Sequence, residues 1–247
     1  QRVSPANAEV MWEGNWASSS QVDRAVGAAR QAFPTWSEKS LDERMSVCRK
    51  FAETLKARQE ELASIVARTE VGAAATKVAN SFDAILKRRW TTTEEMGDLL
   101  AVTRYRPHGV MLVLGPFNLP AHLPGAHIVP ALLAGNTIVF KPSELAPATG
   151  QWLAEAWHSA GLPAGVLNLL HGAAEVATAA VEHVEVDGVL FTGSHRVGVK
   201  LHQMLAGKPH KILALELGGN NPLVVHGASD LRGAAITTIQ SAYITSG

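Results

Sequence analysis

The stretch Val110-Met111-Leu112-Val113-Leu114-Gly115-Pro116-Phe117-Asn118-Leu119-Pro120 decides how this chain is read. An uncharged apolar run followed by a glycine–proline exit is the mark of a short buried strand. Similar runs recur at Thr137 to Phe140, Val166 to Leu170, Val189 to Phe191, Ile212 to Leu215 and Leu223 to Val225. Between most of them lie helical stretches, roughly His122 to Ala134, Pro147 to Ala160, Glu175 to His183 and Val197 to Ala206. Gly135, Gly161 and Gly207 stand where a helix C-terminus wants a left-handed residue. Strands alternating with helices predict an α/β fold, a doubly wound parallel sheet with helices on both faces. Ligands of such sheets bind at the carboxyl ends of the strands, so polar residues just after each strand are the ones to inspect.

Toward the N-terminus the pattern is helical. Ser20 precedes an apolar stripe of Val22, Ala25, Val26, Ala29 and Phe33, and Pro34 is expected to close that helix. Ser40-Leu41-Asp42-Glu43 is a capping box, in which the Ser40 hydroxyl and the Glu43 carboxylate each satisfy the other's amide. The helix behind it carries Leu41, Met45, Cys48, Ala52, Leu55, Leu62 and Ile65 on one face. From Val71 to Arg106 the signal is weaker. Asn80 to Lys87 reads as helical and Leu99 to Tyr105 as extended, with Pro107 and Gly109 as punctuation.

Composition excludes several classes. The chain has 247 residues, 47% hydrophobic and 18% charged, enough for a globular core. Basic and acidic residues balance at 22 each, which gives no electrostatic case for nucleic acid or an anionic membrane. The longest apolar stretch, Ile128 to Phe140, is interrupted by Pro130, Gly135 and Asn136 and is too short to span a bilayer. The start shows no apolar run of the signal-peptide kind, and the single cysteine argues for a reducing compartment; a cytoplasmic protein is expected. Cys48 falls on the apolar stripe, as a small buried hydrophobe does. The ten histidines show no metal-ligand spacing, and no metal is expected.

Four strand ends carry chemistry-bearing residues. After the first, Asn118 is placed to donate its amide to a developing oxyanion, or else it satisfies its own turn. After the second, Lys141 and Glu144 can grip the two hydroxyls of a ribose, or Glu144 simply favours the start of a helix. After the fourth, Thr192-Gly193-Ser194-His195-Arg196-Val197-Gly198 is a glycine turn opening a helix, which presents amides to a phosphate. It is neither a G-x-G-x-x-G fingerprint nor a P-loop. After the fifth, Glu216 beside Gly218-Gly219 fits a general base, or a carboxylate capping a neighbour.

In this order, Gly115-Pro116-Phe117-Asn118, Phe140-Lys141-Pro142-Ser143-Glu144, Phe191-Thr192-Gly193-Ser194 and Leu215-Glu216-Leu217-Gly218-Gly219-Asn220-Asn221-Pro222 resemble the aldehyde dehydrogenase family over at least Val110 to Val225. The resemblance implies a Rossmann-like NAD-binding domain over residues 1–247, with an oligomerisation strand near Leu99 to Arg106 and the catalytic domain outside them. It implies NAD held by Pro116, Phe117, Lys141, Ser143, Glu144, Phe191, Gly193, Ser194, His195, Arg196, Val197 and Gly198. An acid at Glu144 suits a ribose 2′-hydroxyl better than a 2′-phosphate, which favours NAD over NADP. Asn118 and a backbone amide would stabilise the oxyanion, and Glu216 would activate the water that hydrolyses a thioester. In the family, the glycine matching Gly247 is followed by Gln-x-Cys, whose cysteine is the nucleophile. These 247 residues alone are therefore expected to be inactive.

Ala121-His122-Leu123-Pro124-Gly125-Ala126-His127, with Ile128 to Asn136, is similar to a segment of the N-succinylglutamate 5-semialdehyde dehydrogenases, as is Lys211 to Val225. That group usually reads Gly-His-Leu-Pro-Asn-Gly-His, so Ala121, Gly125 and Ala126 depart from it. The similarity implies a small-molecule aldehyde substrate, succinylglutamate semialdehyde, oxidised to N-succinylglutamate in arginine catabolism by a homo-oligomer. The other readings are an aldehyde dehydrogenase of different substrate and a non-catalytic dinucleotide-binding module.

Overall fold

The structure, a computed structural model, describes all residues except 4–7, 67, 220 and 244–247, and leaves the side chains of 68 and 69 aside. Asn220 and the end from Ile244 to Gly247, read above as sequence, lie outside the described residues.

A small ribbon of β1 (Arg2–Val3) and β2 (Val10–Trp12) precedes α1 (Ser19–Glu38). Ser18, not Ser20, caps α1: its hydroxyl accepts from the Gln21 amide, and the Gln21 side chain accepts from the Ser18 amide. Pro34 does not close the helix, which runs on to Glu38. Beyond the proline the last turn is anchored from outside, because buried Trp36 donates its indole N–H to the Leu132 carbonyl at 3.2 Å. The Ser40–Glu43 capping box is present and opens α2 (Leu41–Ala57). The expected unbroken helix through Ile65 is divided at Arg58, whose backbone leaves helical values (φ −107, ψ 25) and whose side chain pairs with Glu61 at the start of α3 (Gln59–Ala63). The helical reading of Asn80 to Lys87 extends much further back, as α4 (Arg68–Lys87).

A hairpin of β3 (Thr91–Met96) and β4 (Leu99–Arg104) follows, turning at Gly97 and Asp98. The remaining elements are β5 (Val110–Leu114), α5 (His122–Leu133), β6 (Thr137–Lys141), α6 (Pro147–Ser159), β7 (Leu167–Leu169), α7 (Ala174–Glu182), β8 (Gly188–Gly193), α8 (His195–Leu205), β9 (Ile212–Leu217) and α9 (Leu231–Tyr243).

Strands β7-β6-β5-β8-β9 form one parallel sheet in that order, so the expected doubly wound fold is found. The chain starts in the middle at β5, works outward through β6 and β7, then returns to the other side of β5 with β8 and β9. The strand order thus reverses between β5 and β8, the place where such sheets bind ligands. Alternation along β5 divides the core: Met111 and Val113 pack with α2, α4, α5 and α6, whereas Val110, Leu112 and Leu114 pack with α1, α7 and α8. Each such side chain, fully buried, stabilises by roughly 1.5–3 kcal/mol.

The start of β5 is pinned by a carboxylate. Asp187 Oδ2 accepts from the Val110 amide at 2.7 Å and from Arg30 Nη2 at 2.5 Å. Gly109 sits against it with φ +136, and a Cβ there would collide with the Asp187 carboxylate. Gly135 and Gly161 are left-handed as expected, with φ 90 and 81. Gly207 is not; α8 ends instead in a turn in which the Lys208 amide bonds the Leu205 carbonyl at 2.8 Å.

Leu223 to Val225, expected as a strand, pairs with no described strand, and Val224 is 84% exposed. An apolar run becomes a strand only where a ladder receives it. Helix α9 beyond it buries none of its residues.

Candidate active site

A cleft of about 1100 Å³ opens at the carboxyl ends of the parallel strands. Four strand exits line it. Leu114 to Asn118 leave β5; Lys141, Ser143 and Glu144 leave β6; Phe191 to Ser194 end β8; Glu216 to Gly218 end β9. One side wall is formed by Ala173, Ala174 and Ala177 near the start of α7 and by Arg196 and Val197 in the first turn of α8. The opposite wall holds Lys77 of α4 with Leu123, Ala126 and His127 of α5.

Twelve of the fourteen residues expected from the sequence therefore border one cleft: Asn118, Glu216, Pro116, Phe117, Lys141, Ser143, Glu144, Phe191, Gly193, Ser194, Arg196 and Val197. His195 and Gly198 do not line it. His195 is exposed in the first turn of α8. Gly198 is buried against β9, where a Cβ would come within 2.7 Å of Leu217, so it lets helix and strand approach.

Lys141 is buried, with its ammonium largely committed. Nζ donates to the Pro142 carbonyl at 2.9 Å and the Gly172 carbonyl at 2.6 Å, and lies 3.8 Å from Glu144 Oε2. Burial pulls its pKa below the ordinary lysine range, against the opposing pull of Glu144. It ties the exit of β6 to the loop after β7 and steadies Glu144, whose backbone carbonyl also accepts from Arg2 Nε at 2.6 Å. Ser143 Oγ accepts from the Leu145 amide, shaping the same turn. Ser194 caps α8 by accepting from the Val197 amide. A Cβ on Gly193 would strike the Phe191 ring, so glycine keeps this turn open.

Asn118 and Glu216 leave different strands at the same sheet edge and face the same cleft. The register sets Thr192 of β8 beside Glu216 of β9. Thr192 Oγ1 is 2.8 Å from His127 Nε2, which reaches over from α5. Burial lowers the His127 pKa and nearby Lys77 lowers it further, while Glu216 acts the other way. The imidazole is thereby held toward its neutral form beside the carboxylate.

Cys48 is far from this chemistry. It is fully buried on α2 among Met45, Phe51 and Leu55, and burial pushes its thiol up to about 12. Among the described residues, no three His, Cys, Asp or Glu side chains gather as a metal site.

Sequence reasoning gave no site role to Lys77, His127 or Glu70, and took Thr192 only as the start of the glycine turn. Glu70, 2% exposed, reaches from α4 to accept from the Ala121 and His122 amides at 2.6 and 2.9 Å. It does for α5 what that helix's own N-cap, Ala121, cannot. Burial raises the Glu70 pKa against the pull of these amides. No local pattern announces a cap supplied from another helix. Lys77 had one signal: it lies at helical spacing from Ala74 and Ser81, on a stripe that faces the core.

The aldehyde dehydrogenase family profile matches residues 1–247. An N-succinylglutamate 5-semialdehyde dehydrogenase of Pseudomonas fluorescens is 48% identical over 257 residues, covering 100% of this chain and 53% of that protein. Its counterpart from Chromohalobacter salexigens is 49% identical over 256 residues, covering 100% and 52%. Among solved structures, an aldehyde dehydrogenase C mutant from Pseudomonas syringae complexed with NAD+ and octanal matches 98% of this chain and 51% of its own, with TM-score 0.90 and 34% identity. The glyceraldehyde-3-phosphate dehydrogenase GapN from Methanocaldococcus jannaschii complexed with NADP matches 98% and 56%, with TM-score 0.89 and 30% identity. The chain spans about half the length of the curated relatives it matches.

Proposed function

The chain belongs to the aldehyde dehydrogenase family, and we propose that it forms the cofactor-binding part of an NAD-dependent enzyme that oxidises N-succinylglutamate 5-semialdehyde to N-succinylglutamate in arginine catabolism. The observation that carries this reading is the convergence of Asn118, Glu216, Glu144 and the Gly193-to-Val197 turn on one cleft at the point where the strand order reverses. The substrate comes from the relatives' names.

The residues present fit a dinucleotide. Ser194 takes up the Val197 amide, and the two amides ahead of it, those of His195 and Arg196, lie at the helix N-terminus, where no helical carbonyl reaches them, suited to a pyrophosphate. Glu144, 43% exposed at its side chain, accepts from a ribose hydroxyl, and Lys141 holds that carboxylate in place. Phe117 stands 63% exposed at the mouth as an apolar surface for a ring. When bound, NAD supplies the acceptor for the hydride that leaves the aldehyde carbon.

Asn118 donates its side-chain amide to the oxygen that gains charge during attack, an effect of about 3 kcal/mol in comparable sites. Glu216 takes the proton of the water that releases the acid. Neutral His127, bonded to Thr192, borders the Glu216 carboxylate without neutralising it. The attacking thiol comes from outside these residues. We further propose a cytoplasmic protein that forms homo-oligomers through the β3–β4 hairpin, where Leu99 and Leu100 are exposed. No described helix is long and apolar enough to cross a membrane.

A second reading applies to the 247 residues by themselves: a dinucleotide-binding module without turnover. Buried Cys48, the only thiol in the chain, favours it. NADH production from succinylglutamate semialdehyde by the complete protein tests the first reading. Turnover by residues 1–247 alone, abolished by Cys48→Ser, would overturn the placement of the nucleophile.

A further inference from the structure

Three cations line the cleft, and their circumstances differ. Lys141 spends its donors on two carbonyls and Glu144. Arg196 is exposed on the α8 side, where the pyrophosphate of a dinucleotide is expected. Lys77 is half-buried on the core-facing stripe of α4, and its ammonium has no hydrogen bond or ion pair among the described residues. A lysine that borders a cleft without a protein anion to meet leaves its charge available to an anionic ligand there.

We propose that Lys77 recognises a carboxylate carried by the aldehyde substrate, at a distance from the reacting carbon. The proposal rests on the reading of this cleft as an aldehyde dehydrogenase site and names its specificity residue.

The layout of the sheet supports this assignment. Helices α7 and α8 cover one face, and α4 and α5 lie on the other. Asn118 and Glu216 stand at the edge between them. A dinucleotide held by Glu144 and the start of α8 leaves the α4–α5 wall for the aldehyde. That wall runs from Lys77 past Leu123 and Ala126, two apolar side chains suited to methylenes. His127 is held toward its neutral form there by burial and by Lys77, so Lys77 is the cation of the wall. An ammonium meeting a carboxylate in a partly desolvated cleft makes a charge-assisted hydrogen bond, which discriminates strongly against an uncharged analogue.

The test uses the complete protein, with succinylglutamate semialdehyde, succinate semialdehyde and neutral hexanal as substrates and calorimetry for NAD. For Lys77→Met, kcat/KM with the carboxylated substrate is expected to fall about 10–100-fold, mainly through KM. The kcat/KM with hexanal falls far less than with the carboxylated substrate, NAD affinity stays unchanged, and Lys77→Arg recovers most of the loss. Equal loss with hexanal, or no loss with any aldehyde, would overturn the proposal and leave the proposed function standing. If wild type prefers succinate semialdehyde and Lys77→Met abolishes that preference, the role of Lys77 is upheld and only the substrate named above is corrected. If wild type shows no preference for carboxylated over neutral aldehydes, both readings fall.

Discussion

Helices α5 and α9 are 12 and 13 residues long and both are rich in aliphatic side chains. Helix α5 lies between the sheet and α4 and buries Ile128, Val129, Leu132 and Leu133. Helix α9 leaves Ile236 47%, Ile239 59% and Tyr243 80% exposed. Both start from a local signal or a supplied cap. Asp230 accepts from the Gly233 amide at the start of α9, and Glu70 serves α5. The contrast separates two steps that a sequence pattern merges. Caps and propensity make a helix, but a packed partner face makes it part of the core. The cleft lies wholly in the region where the second step is complete.

The contrast breaks or sharpens by mutation of the 247-residue chain. The largest effect is expected from Leu132→Ala, which should lower stability by about 2–5 kcal/mol in urea unfolding, whereas Ile239→Ala should stay within about 0.5 kcal/mol. Equal losses would mean that α9 is packed. On the ligand side, Glu144→Gln should weaken NAD binding by about 1.5–3 kcal/mol. Tyr243→Ala should leave the calorimetric Kd unchanged. Unaltered affinity in both Glu144→Gln and Lys141→Ala would remove the ribose assignment. Among the caps, Ser40→Ala should cost about 1 kcal/mol of global stability, because α2 is part of the core. Asp230→Ala should reduce the helical circular dichroism signal without moving the main transition.

The smallest expected effect is a pH slope. Hydrogen bonds from the Ser40 hydroxyl and amide, with Lys39 beside them, lower the Glu43 pKa from 4.5 to about 2. The unfolded chain therefore binds this proton more readily than the folded one. The Glu43 contribution is complete above pH 4.5 and fades as pH falls toward 2. Unfolding midpoints of wild type and Glu43→Gln should converge across that window; parallel curves would show that the box contributes nothing through this carboxylate.

What the sequence disclosed follows the same division. Strands β5, β6, β8 and β9 were legible because apolar runs ended in glycine, proline or a polar turn, and so were the cleft residues that follow them. The β3 strand was not, because Thr91 to Met96 has neither alternation nor a buried face. Pro34 misled because a proline's local cost was offset by the distant bond from Trp36 to Leu132. Leu223 to Val225 misled in the opposite sense, since β propensity was present and no described strand offered it a ladder. Glu70 of α4 reaches the start of α5, His127 of α5 reaches Thr192 of β8, and Lys77 of α4 borders the same cleft as His127. Their roles depend on how α4 and α5 pack, which no window of sequence contains.

Cys48 gives the molecule its own chemical clock. A thiol with no exposed surface, held near 12, cannot meet a reagent in the folded state, and within these 247 residues no second cysteine competes with it. Its modification must wait until α2 lifts from Phe51, Trp157 and the helices around them. With reagent in modest excess, the labelling rate then reports how often that layer is open; with reagent in large excess, it reports how fast the layer opens. One sulfur atom thus converts the packing of the layer beneath the cleft into a number of seconds.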